Sequence, residues 1–305
     1  MLSFRTRLKK DLKKNGFLYV MIIPVLLYFI VYHYWPMYGV MIAFKDYKVK
    51  MGILGSPFVG LKHFERFFSS YYFELLLKNT LSVSAYSLLV EFPIPIIFAL
   101  LLHYLKNNRL RKVTQMVSYA PHFISTVVIC SMITIFSSKD TDLFNIIRGF
   151  FGLEAVNFLS KPEWFKSIYV WSGVWQSAGW SAIIYISALA GVDYELHEAA
   201  IMDGATKIKR MIYIDLPSIK PTIIMLLIMR LGSMMSIGFE KVYLMQNDLN
   251  KSASAIISTY VYEQGLVNQN YSFSTAVGLF NSAVNLLLLV SANTISKKLM
   301  NESLY

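Results

Sequence analysis

One cysteine in 305 residues leaves this chain without an intrachain disulfide and argues against a metal site built on thiolates. Cys130 lies inside an apolar run, where it reads as a small buried hydrophobe. Charge is scarce as well. Charged residues make up 15% of the chain, against about 25% in soluble domains, so no large soluble domain has room to exist. No G-x-x-x-x-G-K-[ST] phosphate loop occurs, which removes the common means of binding ATP. His33, His63, His103, His122 and His197 are scattered, mostly at the edges of apolar runs or in loops, where a solvated role is expected. With no Ser-His-Asp or metal-ligand clustering in the sequence, the chain does not read as an enzyme. A net charge of +11 would suit nucleic acid, but the basic residues sit at the ends of apolar runs. That pattern belongs to membrane topology instead.

What is present is apolar, 55% of the chain. A span needs about 20 mostly apolar residues, and six segments meet that need. They are 17–35, 79–102 (interrupted by Pro93 and Pro95), 115–136, 167–190, 222–240 and 273–296. The expectation is an all-α bundle of six transmembrane helices. It divides into a cytoplasmic segment 1–16, a first helix with its external segment 17–78, a core 79–296 and a tail 297–305. The first 16 residues are basic, as in a signal peptide, but no small-residue cleavage site follows, so the first span reads as uncleaved. With the N-terminus inside, the inner segments hold 16 of the 29 Lys and Arg in 67 positions, and the outer segments hold 12 in 105 positions. The inner density is about twice the outer, as the positive-inside rule requires. Both termini and the 191–217 loop are then cytoplasmic, in a multi-pass protein of the cell membrane.

That loop, EAAIMDGATKIKRMIYIDLP from Glu198 to Pro217, is too polar to span. Acidic Asp193 and Glu195 precede it, where a helix N-terminus favours them. Ala199, Ala200 and Ala205 are small helix formers, and Gly204 permits a sharp turn between two short helices. Periodicity alone makes it an amphipathic connector on the membrane surface. The spacing goes further. Glu198-Ala199-Ala200, Gly204, Ile214 and Leu216-Pro217 fill every fixed position of a long pattern, which resembles the EAA loop of binding-protein-dependent ABC importer permeases. Phe44-Lys45-Asp46-Tyr47 and Phe58-Val59-Gly60-Leu61 resemble the external segment of sugar permeases in this family. Ser272 to Asn293 is similar to the last span of the branch importing oligosaccharides and polysaccharide fragments.

The resemblance implies a bacterial plasma-membrane permease subunit that forms half of an oligosaccharide pathway. Its partners would be a second, homologous permease chain, two cytoplasmic ATPases and an extracytoplasmic solute-binding protein, with lipid around it. ATP and Mg would bind the ATPases, and this chain would carry no cofactor. Glu198, Ala199, Ala200, Asp203, Gly204, Ala205, Leu216 and Pro217 would form the coupling helix that docks on an ATPase. Rival readings are an importer of another solute, or a secondary transporter acting alone. The latter calls for internal inverted repeats, and none is visible.

Two charges fall inside expected spans, Glu91 and Arg230. Each costs at least about 2.5–3.5 kcal/mol at a helix centre, so such groups face the interior and find partners. They either pair with each other or line the path and meet substrate. Sugars present apolar faces and hydroxyls, so Trp175, Trp180 and Tyr185 in the fourth span are candidate platforms, along with Trp171. Asn281 and Asn285, four apart on one helical face, are candidate hydrogen-bonding groups. All of these residues could instead serve packing between helices or lipid contact.

Overall fold

The first apolar run folds as a long helical stretch, set off by a kink at Asn15 from the basic residues before it. In the computed structural model, which describes residues 4–139 and 143–300, helix α1 (Phe4–Phe29) runs on through a π turn, Ile30–Tyr34, and a 3-10 segment, Trp35–Phe44. The stretch Lys13–Phe44 is long and apolar enough to span a membrane, and none of its apolar window is buried within the chain. Only a bilayer or neighbouring helices can cover such a surface. Residues 1–3 and 301–305, the extremes of the two expected cytoplasmic ends, lie outside the described residues.

The external segment folds back on itself. Lys45 and Phe58 form an isolated antiparallel bridge. Asp46 N donates to Pro57 O at 2.9 Å, and Val59 N to Phe44 O at 2.8 Å. The two sequence stretches 44–47 and 58–61 are therefore paired. Short α2 (Lys62–Phe68) follows, with His63 and Phe67 buried. His63 and His197 are buried, in place of the expected solvated role.

The core begins with α3 (Tyr71–Glu91) and α4 (Pro93–His103), which together make one span, Tyr71–His103. Helices α5 (Asn108–Tyr119) and α6 (Thr126–Phe136) occupy the expected third span, but they are bent by 94°. Pro121 sits in a 3-10 turn, Ile124 is extended, and Ser125 caps α6 by accepting from Val128 N at 3.4 Å. That local chemistry ends one helix and starts another. Beyond α7 (Leu143–Phe150), α8 (Pro162–Ala190) is 29 residues long. At 1.5 Å per residue it is about 44 Å long, more than a membrane's hydrocarbon thickness. It contacts α3, α4 and α5, and so forms the central post of the bundle.

After α8 come α9 (Tyr194–Met202) and α10 (Lys207–Arg210), the latter running into a π turn that ends at Asp215. Helix α11 (Lys220–Gly232) follows. The fifth expected span is corrected here. It stops at Gly232, residues 233–238 are non-helical, and α12 (Phe239–Met245) starts a new direction. Gly232 and Gly238 bracket a segment that averages as apolar, so hydropathy alone reads through the break. Helices α13 (Ile257–Tyr262) and α14 (Tyr271–Met300) complete the described chain. Among the described residues, three helical stretches are long and apolar enough to cross a membrane, and two bent pairs raise the number to five. The expected fourth span lies within α8, whose sequence mixes Ser, Gly and Gln with its aromatics.

Three apolar clusters hold the bundle together. Val83, Cys130, Phe165, Val170 and Val242 join α3, α6, α8 and α12. Phe67, Leu76, Met235, Phe273 and Val277 anchor α14 beneath the external segment. Ile96, Ala99, Leu100, Ala182, Leu189 and Ile219 pack α4 and α8 against the start of α11. Irregular backbone inside the bundle is satisfied by side chains. Asn79 Nδ2 donates to Ala255 O at 3.1 Å, and Thr80 Oγ1 accepts from Ile257 N at 3.1 Å. Non-helical backbone at membrane depth survives only with such partners.

Candidate functional site

A cavity of about 650 Å³ opens between α3, α8, α11 and the 233–238 break. On α8 the lining positions include Gly173, Gln176 and Trp180, spaced three and four apart so that they share one face. Glu91 enters at the end of α3, just before Pro93 turns the chain into α4. Arg230 enters from the last turn of α11 and Lys241 from α12.

These three charges form one group. Arg230 Nη2 donates to Glu91 Oε2. Lys241 Nζ donates to the Tyr169 carbonyl at 2.9 Å and lies 4.8 Å from the centre of the Tyr169 ring. A Cβ on Gly173 would sit 2.5 Å from Glu91 Oε1 and 3.4 Å from Lys241 Nζ. Both charged groups therefore press on the α8 backbone, and only glycine leaves them the space. Glu91 and Arg230 thus pair, the first of the two sequence alternatives, and both side chains line the cavity. A fifth span ending at 240 would leave Lys241 in an external segment. The break before α12 returns it to the interior, where it is 8% exposed.

Other sequence candidates separate. Trp180 lines the cavity and stacks on His122, with ring centroids 4.6 Å apart and planes 5° apart. Tyr185 lines it too, but is 3% exposed and belongs mainly to the packed cluster around Ala182. Trp175 is not part of the cavity lining. With Trp171 it faces a separate apolar recess formed with Ile129 and Trp164. Trp171 and Trp175 are four positions apart, which puts both on the face opposed to Gly173 and Trp180. Asn285 serves the backbone instead of the cavity. Its Oδ1 accepts from Met235 N at 2.9 Å and its Nδ2 donates to Ser236 Oγ at 2.8 Å, so it caps the break after α11. Asn281 lies one turn earlier on α14 and is also absent from the lining.

The 191–217 loop is built by local rules. Asp193 caps α9 by accepting from Glu195 N at 3.0 Å. At its other end Gly204 N donates to Ile201 O at 3.0 Å and Ala205 N to Ala200 O at 2.8 Å. This is the Schellman arrangement, which needs a left-handed residue after the helix. Gly204 supplies it with φ +74°. Thr206 then caps α10 through Lys209 N at 3.4 Å. Glu198, Ala199, Asp203, Gly204, Leu216 and Pro217 are exposed, and Ala200 and Ala205 are half-buried. Around them Ile201, Met202, Ile208 and Tyr213 also face outward, with Met202 at 87% exposure.

Beneath this exposed surface the loop is tied down at two points. His197, beside Glu198, and Asp215, beside Leu216, are both buried. His197 Nε2 lies 3.1 Å from Asp215 Oδ1. Asp215 Oδ2 accepts from Tyr104 OH at 2.6 Å, just past the end of α4. Burial, then the Asp215 contact, hold the Tyr104 phenol well above its ordinary pKa, so it remains a donor. Sequence reading missed this cluster because its members lie 93 and 111 positions from Tyr104 along the chain.

Residues 91–301 match the family described as binding-protein-dependent transport system inner membrane component. The polygalacturonan/rhamnogalacturonan transport system permease protein YteP of Bacillus subtilis is 45% identical over 301 residues, covering 99% of this chain and 94% of that protein. A bacterial ABC transporter involved in import of the acidic polysaccharide alginate contains a chain of the same fold, with a TM-score of 0.90 and 38% identity over 96% of this chain and 99% of that one. A second alginate transporter structure, in complex with an alginate pentasaccharide-bound periplasmic protein, matches with a TM-score of 0.90 at 37% identity, over 98% and 100% of the two chains. This chain is a multi-pass membrane protein, a transport component and not an enzyme, and it belongs to the family of binding-protein-dependent ABC transporter inner-membrane permeases.

Proposed function

We propose that this chain forms half of the transmembrane pathway of an ATP-driven importer of acidic oligosaccharides. The observation that carries the substrate class is the cavity itself, where Arg230 and Lys241 oppose the single carboxylate of Glu91. The surplus positive charge suits a sugar acid, and Trp180 offers an aromatic face for the ring. The permease and transporter relatives named above handle polygalacturonan, rhamnogalacturonan and alginate, which supports the same class.

In this reading a second permease chain completes the pathway and covers the apolar surface of α1. An extracytoplasmic binding protein delivers substrate. Two cytoplasmic ATPases, carrying ATP and Mg, dock on the outward-facing side chains of α9 and the 204–217 segment. Both termini are cytoplasmic. ATP-driven closure of the ATPases moves α9, and the buried His197–Asp215–Tyr104 contact passes that motion to the ends of α4 and α11. The test is uptake into proteoliposomes holding the complete transporter, with oligogalacturonides offered beside neutral oligosaccharides of equal length. Uptake of the acidic chains alone, reduced at least tenfold in Lys241→Met with the complex intact, is the expected result. Equal uptake of the neutral chains, or uptake unaffected by Lys241→Met, would reject the acidic class.

A further inference from the structure

The cluster under the loop brings together more than a hydrogen bond needs. His103 at the end of α4, His197 on α9 and Asp215 before α11 each offer one ligand atom, and these atoms all lie within 4.8 Å of one another. His197 Nε2 and Asp215 Oδ1 are 3.1 Å apart, but they are not aligned as a hydrogen bond. Neither atom has any other hydrogen-bond partner, although His197 is 5% and Asp215 0% exposed. Buried polar atoms left this way are costly. Two ligands about 2.0–2.1 Å from one tetrahedral ion stand roughly 3.3 Å apart, close to the separation seen here.

We propose that His103, His197 and Asp215 form a site for a zinc-like divalent cation. Two imidazoles and one carboxylate suit that class of ion, with water as the fourth ligand. The surrounding residues fit the assignment. Tyr104 OH donates to Asp215 Oδ2 at 2.6 Å, leaving Oδ1 free for the ion. Such a hydrogen bond to a ligating carboxylate is the usual support of a metal ligand. His103 is exposed, so the site has a route to solvent while its other two ligands are buried. The ion would join α4, α9 and the start of α11 and fix both ends of the 198–217 loop. Metal occupancy would then set how freely the loop moves. The inference concerns only this cluster and does not depend on the nature of the transported solute.

The complete transporter, purified with a histidine-free tag and stripped with chelator, tests this with Co²⁺ as a spectroscopic probe. The expected result is one Co²⁺ per chain with the intense visible absorption of a tetrahedral site, displaced by Zn²⁺. That signal should vanish in His103→Ala, whose exposed side chain can be removed without disturbing the fold. Tyr104→Phe should weaken binding about 10–100-fold. Zn²⁺ should raise the melting temperature of the wild type and leave His103→Ala unmoved. Absence of a saturable Co²⁺ signal would overturn the proposal, leaving a bare His–Asp contact. So would a signal retained in both His103→Ala and His197→Ala, because the ion would then be bound elsewhere.

Discussion

In the cavity, Glu91 and Arg230 bond across two helices and Lys241 holds the α8 carbonyl of Tyr169, so each charge depends on an element distant in sequence. In the 198–217 loop, capping and turn contacts lie within a few residues, and most of the named positions face solvent. The first region is assembled by the fold. The second is a nearly self-contained unit presented by it. Mutations in the cavity should therefore be felt in pairs, and mutations in the loop one at a time.

The sharpest test of the loop's autonomy is Gly204. Valine there must adopt φ +74°, a conformation that disfavours β-branched residues, at a cost of about 1–3 kcal/mol. A Cβ meets no atom within 4 Å, so the defect is conformational alone. Uptake should fall at least tenfold in Gly204→Val with membrane insertion unchanged. Gly204→Asn should restore much of it, since asparagine tolerates left-handed backbone. Equal loss in both variants would show that the turn is not the cause.

A double-mutant cycle probes the cavity's dependence on pairs. Arg230 is half exposed to the cavity, and Glu91 is mostly covered. Glu91→Gln and Arg230→Met should each destabilise the complex by about 1–3 kcal/mol, between the values for exposed and buried pairs. The double variant should lose clearly less than the sum, read as melting temperature. Additive losses would mean the two charges are energetically independent.

The smallest effects should separate two tryptophans on one helix. Trp180→Ala should raise the uptake KM about three- to tenfold, equivalent to roughly 1 kcal/mol. Trp175→Ala, on the other face, should change it less than about twofold. Equal effects would mean that α8 is rotated relative to this structure.

The same contrast explains what the sequence disclosed. Asp193, Gly204 and Thr206 act on neighbours within five residues, so the two short helices and their turn were readable from spacing. The apolar runs located most of the bundle, because a bilayer imposes length and composition directly. Lys241 was misplaced because the break at 233–238 contains enough Met and Ile to pass as helix. That break is held by Asn285, about 50 residues away, and nothing near it announces the partner. Asn285 itself looked like a substrate group because polar residues in a span raise the same expectation whether they serve ligand or backbone. The 94° bend at 124–125 was signalled locally by Pro121 and Ser125, but hydropathy averaging outweighed them.

The central claim is that the 198–217 loop is where an ATPase subunit engages this permease. A photo-crosslinking amino acid placed at Met202, the most exposed large apolar side chain of the loop, measures this in membranes carrying the complete transporter. The expected product joins this chain to the ATPase subunit, with none formed from the same probe at Lys62. A crosslink from Met202 to the extracytoplasmic binding protein, or none to the ATPase while transport continues, would contradict the claim.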